Sequence, residues 1–163
     1  MLVLGIDPGT AITGFGLVES RGGRACLVGY GVIRTEPQQG MAGRLLEIHN
    51  RIDRLIDIHG PEVLAIEELF FNRNAKTVIS VGQARGVAVM TAARRGLRVY
   101  EYTPLQVKQA VVGYGNAAKH QVQAMVKAIL GMEEKPRPDD AADALAVAIC
   151  HVHSARLGTL GRV

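Results

Sequence analysis

The chain has 163 residues, which is one compact domain and too little for a multidomain machine. Its apolar share of 48% and charged share of 21% exclude disorder, and no apolar run approaches a bilayer span. The net charge is +4, and fourteen of the 19 cations are arginine, a bias that suits phosphate partners without requiring one. Residues 1–4 lack a basic segment and Asp7 follows at once, so no secretory signal is expected. Two cysteines, Cys26 and Cys150, form neither a disulfide framework nor a metal quartet. They read as small hydrophobes in a reducing compartment, which implies a cytoplasmic protein with no membrane association.

Residues 1–6 form an apolar run that predicts a first strand, stopped by the turn Asp7-Pro8-Gly9. Residues 13–19 and 25–35 predict two more strands, joined by the turn at Ser20-Arg21-Gly22-Gly23. The period then changes. Leu45, Ile48, Ile52, Leu55 and Ile56 recur at spacings of three and four, the stripe of an amphipathic helix that ends at Gly60-Pro61. Residues 63–66 are wholly apolar, as in a buried central strand, and Glu67 and Glu68 close the run. A long helix is expected over residues 74–95, stopped by Gly96, and residues 97–102 read as another strand. Thr103-Pro104 predicts a capped helix reaching residue 112, and a further helix covers residues 117–130. A polar loop follows, and a last, Ala-rich helix runs from residue 139 to about 157. The order β-β-β-α-β-α-β-α-α-α predicts an α/β fold, one mixed five-stranded sheet with helices on both faces. The domain should span residues 1–157, with 158–163 as a short tail.

Acidic residues mark the ends of these elements. Asp7 ends the first strand, Glu67 ends the central strand, and Asp140 and Asp143 lie in the first turns of the last helix. Singly, each has an ordinary explanation as a turn former, a strand end meeting water or a helix-start acid. Together they mean more. Asp140 and Asp143 stand at i and i+3 and share a helix face. Strands one and four of a mixed sheet can be neighbours, which puts Asp7 beside Glu67. Such a cluster repels itself unless cations enter it, and its hard oxygen ligands suit Mg²⁺ or Mn²⁺. Two ions about 4 Å apart activate water and stabilise the leaving oxygen of a phosphodiester. Leaving these four acids aside, 19 cations face 11 anions, so the remaining surface is more basic than +4 suggests.

Five segments then occur in order: Gly5-Ile6-Asp7-Pro8-Gly9-Thr10, Ala65-Ile66-Glu67, Gly82-Gln83-Ala84-Arg85-Gly86, Gln106-Val107-Lys108-Gln109 and Asp140-Ala141-Ala142-Asp143-Ala144-Leu145-Ala146. At these spacings the chain resembles the RuvC-type Holliday junction resolvases, nucleases of the ribonuclease H-like fold, over residues 1–157. The resemblance implies a homodimeric endonuclease that places paired, symmetric nicks in a four-way DNA junction, leaving 5′-phosphate and 3′-hydroxyl ends. It implies Asp7, Glu67, Asp140 and Asp143 as catalytic metal ligands. It also implies two Mg²⁺ per subunit, replaceable by Mn²⁺, and the RuvA-RuvB branch-migration complex as partner. Two neighbours depart from the pattern. Asp139 adjoins Asp140, which keeps the Asp-x-x-Asp spacing, and Glu68 adjoins Glu67 and should point to the opposite side of the strand.

Phe70 and Phe71 follow the acidic strand end in a polar stretch, in a chain with only seven Phe and Tyr residues. They can tuck under the sheet, or one can stack on an opened base; the resemblance favours Phe70. It also makes Lys108 and Lys119 phosphate binders, and Lys119 sits near a predicted helix start, which favours anions. Arg73, Lys76 and Arg85 could extend this DNA-binding surface. His151 and His153 are two apart on a helix and do not make a metal site. The turn at Asp7-Pro8-Gly9-Thr10 also resembles the phosphate loop of the actin and sugar-kinase superfamily, but that architecture needs two such domains. A third alternative, a binding protein that does not cut, predicts gaps in the acidic set, and all four acids are present.

Overall fold

The computed structural model describes residues 1–69 and 75–158, apart from the side chains of residues 75–77 and 157. Phe70 and Arg73 therefore lie outside the described residues. Strands β1 (Leu2–Asp7), β2 (Ile12–Arg21) and β3 (Arg24–Arg34) form the antiparallel part of the sheet. Gly22 and Gly23 both take positive φ, 56° and 78°, so a two-residue turn of the kind that matches strand twist joins β2 to β3. A short 3-10 turn at Pro37–Gln39, which the sequence reading did not anticipate, leads into helix α1 (Gly40–His59). Gly60 ends α1 in the left-handed region, its N–H donating to the Ile56 carbonyl at 2.9 Å.

The chain then alternates. Strand β4 (Val63–Glu67), helix α2 (Ala75–Arg94) and strand β5 (Arg98–Tyr102) follow. Helices α3 (Pro104–Val112), α4 (Lys119–Leu130) and α5 (Asp139–Leu157) complete the described residues. Crossovers make the β1–β4 and β4–β5 pairs parallel, and the strand order is β3-β2-β1-β4-β5. Thr103 caps α3 as expected: its side chain accepts from the Gln106 N–H at 3.2 Å and the Gln106 side chain accepts from the Thr103 N–H at 2.8 Å. Helix α4 starts two residues later than expected, where the Gln121 side chain accepts from the Ala118 N–H at 2.8 Å.

Two cores result, one on each side of the sheet. Leu4, Ile6, Leu17, Leu64 and Ile66 face α1 and α2, packing on Ile48, Ile52, Ala84 and Ala88. Val3, Ala65, Tyr100 and Tyr102 face α3, α4 and α5. Alternation along each strand therefore assigns every residue a side. Helix α5 is buried around most of its circumference, with Ala141, Ala142 and all residues from 144 to 152 inaccessible. A helix this apolar can only be central.

Close packing of α5 depends on bare backbone beneath it. A Cβ on Gly5 would overlap the Ala144 carbonyl, and one on Gly14 would overlap the Asp140 carbonyl. A Cβ on Gly16 would come within 2.8 Å of the Leu145 side chain. Glycine in a strand interior weakens it, and here that cost is offset by letting a helix sit almost on the strand backbone. The alanines at 141, 144 and 148 complete this approach from the helix side.

Candidate active site

Register places the first two carboxylates. Ile6 pairs with Ile66 in the parallel β1–β4 ladder, so Asp7 and Glu67 are the next residues of adjacent strands. Ile6 and Ile66 face α1 and α2. Asp7 and Glu67 therefore turn to the α5 side, and Glu68 turns away, as the two-residue period requires. Asp7 also pairs with Gly14, the residue over which the Asp140 carbonyl lies. One helical turn further, Asp143 joins the same end of the sheet. The four sequence-predicted acids thus gather from β1, β4 and α5.

Burial and their mutual repulsion both bear on Asp7. Burial pushes its carboxyl up to about 7, and the charges of Asp143, Glu67 and Asp140 add to the rise, against a smaller opposing pull from Lys119. Burial also raises Asp143, partly countered by Lys119. The Lys119 ammonium lies 2.9 Å from Asp143 and 3.3 Å from Asp139. Burial alone would lower its pKa, but Asp143 and then Asp139 outweigh burial and raise it.

Asp139 has other partners. Gln123 donates to it at 2.9 Å, and that bond, then Lys119, holds its carboxyl below the usual range. It is well exposed, and through Lys119 it shares a partner with Asp143. An open cleft of about 710 Å³ adjoins Asp139 and Asp140, lined also by Gln123, Lys135 and Arg137. The sequence reading passed over Lys135 and Arg137; their nearness to Asp140 in the chain was the available signal.

The turn after Asp7 is tied down from three sides. The Thr13 hydroxyl donates to the Gly9 carbonyl at 2.7 Å, and the Thr35 hydroxyl donates to the Thr10 carbonyl at 2.5 Å. Arg44 of α1 donates to the Thr35 hydroxyl at 2.8 Å. These bonds fix the strand end that carries Asp7.

The candidate DNA contacts separate. Lys119 opens α4 at the cluster, and Lys108 lies half-buried on α3, with no carboxylate partner among the described residues. Lys76 belongs to the first turn of α2, and its side chain lies outside the described residues. Arg85, grouped with the surface cations on sequence, is instead folded inward against Glu101 of β5, with 18% of its side chain exposed. Burial lowers its pKa and Glu68 partly restores it, so Arg85 counters the acid that turns away from the cluster. The two histidines take structural positions. His151 is buried with its Nδ1 2.8 Å from the Tyr102 hydroxyl, and His153 Nδ1 lies 2.8 Å from the Ala110 carbonyl.

The donor set is oxygen alone, and its repulsion is of the kind a hard divalent cation relieves, so its chemistry fits Mg²⁺ or Mn²⁺. Among the described residues no three of these side chains converge as a finished ligand cage, and Asp143 is turned towards Lys119.

Comparison with known proteins identifies the family. Residues 3–151 match the family described as "Crossover junction endodeoxyribonuclease RuvC". A protein of that name from Syntrophomonas wolfei is 60% identical over 159 residues, covering 98% of this chain and 92% of the relative. The Thermus thermophilus RuvC structure is similar with a TM-score of 0.93 at 42% identity, covering all of both chains. T. thermophilus RuvC in complex with Holliday junction substrate gives a TM-score of 0.94 at 42% identity, over 100% of this chain and 99% of that one. The architecture is ribonuclease H-like, as the motif order implied. The chain belongs to the RuvC family of crossover junction endodeoxyribonucleases.

Proposed function

We propose that this protein resolves four-way DNA junctions by metal-dependent hydrolysis of the phosphodiester backbone. The observation that carries the reading is the meeting of Asp7, Glu67, Asp140 and Asp143 at one end of the β1–β4 pair, from three elements far apart in sequence. Asp7, Glu67, Asp140 and Asp143 are the residues that would hold two Mg²⁺ per subunit, with Mn²⁺ a workable substitute. When bound, the ions would supply an activated water and a counter-charge for the leaving oxygen.

The chain's own residues do the rest. Lys119 can exchange its carboxylate partners for a phosphate oxygen, because an ammonium keeps three donors on a flexible stem. Its release frees the Asp143 oxygen it holds for another partner. The ties of Thr13, Thr35 and Arg44 hold the Asp7 turn still, which matters because small misplacements at a reacting centre cost about 10²-fold in rate. Lys108 is read as a second phosphate contact, and Lys76, Arg73 and Phe70 as further DNA contacts. Arg85 is read as a support for the ends of β4 and β5 through Glu68 and Glu101.

The products are read as symmetric nicks with 5′-phosphate and 3′-hydroxyl ends, made by two sites in a homodimer acting in the cytoplasm, with the RuvA-RuvB complex as partner. The test uses a synthetic four-way junction with Mg²⁺, beside linear duplex and a chelator control. Junction-selective nicking is expected. Failure to nick the junction with any divalent ion sinks the reading. Asp7→Asn should reduce cleavage by about 10³-fold or more and leave junction affinity within roughly threefold, because only the cation-binding charge changes. Parallel loss of binding would make Asp7 structural.

A further inference from the structure

The opposite face of the sheet carries a second feature. Between β3 and α1 runs a trench of about 450 Å³, lined by Phe15, Ile33, Leu55 and Ile58, with Arg34, Arg51 and Arg54 at its rim. Its origin is legible in the register. Leu17 pairs with Gly29, Phe15 with Gly31 and Thr13 with Ile33, so these β3 residues share the α1 side of the sheet. Two successive inward positions of the edge strand are therefore bare. A Cβ on Gly31 would come within 2.9 Å of the Phe15 ring, so the ring occupies the space a side chain would fill. Ile58 on the facing helix is 62% exposed. Glycine in strands often marks a place where another backbone approaches closely.

The charge of the rim selects the occupant. Arg51 is paired with Glu47 at 2.7 Å, but Arg34 and Arg54 have no carboxylate partner among the described residues. The β3 strand is the edge of the sheet, and its outer backbone groups are open to an added strand. A phosphate backbone would meet the arginines but has nothing apolar to seat on Phe15, Leu55 and Ile58. We infer that this trench is a docking site for an acidic peptide segment of a partner protein, with one or two bulky apolar side chains seated on Phe15 and Ile58 and its carboxylates on Arg34 and Arg54. The trench lies on the α1 side and the four carboxylates on the α5 side, so one molecule can hold the peptide and its substrate at once. This inference is independent of what the carboxylate cluster does.

A random-peptide phage library panned on the full-length protein tests it. Enriched peptides should be net acidic and carry Leu, Phe or Trp anchors. Fluorescein-labelled copies should bind wild type and lose about tenfold or more in affinity for Arg54→Glu, and again for Ile58→Asp. Both positions are exposed, so both variants should melt within a few degrees of wild type and keep junction nicking. No enrichment, neutral or basic winners, or equal affinity for the variants overturns the inference. Loss of junction binding in Arg54→Glu would also overturn it, by assigning the rim to DNA.

Discussion

Asp7 holds an uncomfortable charge. It is half-buried beside three other acids, and its carboxyl is raised to about 7. Replacing it by Asn removes the repulsion, so in the presence of a chelator Asp7→Asn should melt a few degrees higher than wild type, on the order of 1–3 kcal/mol. A lower melting temperature would mean that the carboxylate supports the fold. His151 makes the opposite kind of demand. Burial, with a smaller push from Arg98, lowers it to about 4, and its neutral ring is bonded to the Tyr102 hydroxyl. The unfolded chain takes up this proton near 6.5, while the folded chain refuses it until about 4. Stability from this residue is therefore full above about 6.5 and is lost as the pH falls through that window, by up to about 3 kcal/mol. Urea unfolding at pH 7 and pH 4.5 should show a steeper loss for wild type than for His151→Gln; equal losses would remove His151 as the source. The four carboxylates were legible because each ends a predicted element. The role of Lys119 was only half legible: sequence placed it at a helix start, but not against Asp143, because nothing local fixes how α4 lies against α5.

At the scale of elements, the site depends on how closely α5 approaches β1 and β2. Gly14→Ala places a methyl where the Asp140 carbonyl lies and must push the helix away. The expected cost is about 1–3 kcal/mol of stability by urea unfolding, with cleavage reduced by about 10²-fold or more. Unchanged cleavage would show that α5 need not sit so low. The elements themselves were readable from period and punctuation: the stripe of α1, the apolar run of β4, the stops at Gly60 and Gly96. The missed 3-10 turn at Pro37–Gln39 has no periodic pattern to announce it. The glycine contacts were invisible for a different reason. Gly5, Gly14 and Gly16 look like weak strand residues until a helix from the far end of the chain lies over them. Arg85 misled in the same way, since an arginine on a helix reads as solvated until β5 supplies Glu101.

At the scale of the whole molecule, one subunit has a radius of gyration of about 15 Å, too small to offer two separated sites to a junction. Sedimentation should therefore give about twice 17.5 kDa at working concentration, and a monomer that still makes paired nicks would contradict the dimer.

The glycine-lined seat of α5 has a consequence in time as well as in space. The first strand and the last helix of the described chain are mutual partners, separated by nearly the full length of the fold. During synthesis the β1–β2 hairpin is made well before the residues that close over Gly5 and Gly14. Two of the four acids, Asp140 and Asp143, arrive with that closure. A chain that stopped before residue 139 would lack α5 and with it both one core of the sheet and two of the four acids. Closure of the core and completion of the acidic cluster are thus one event.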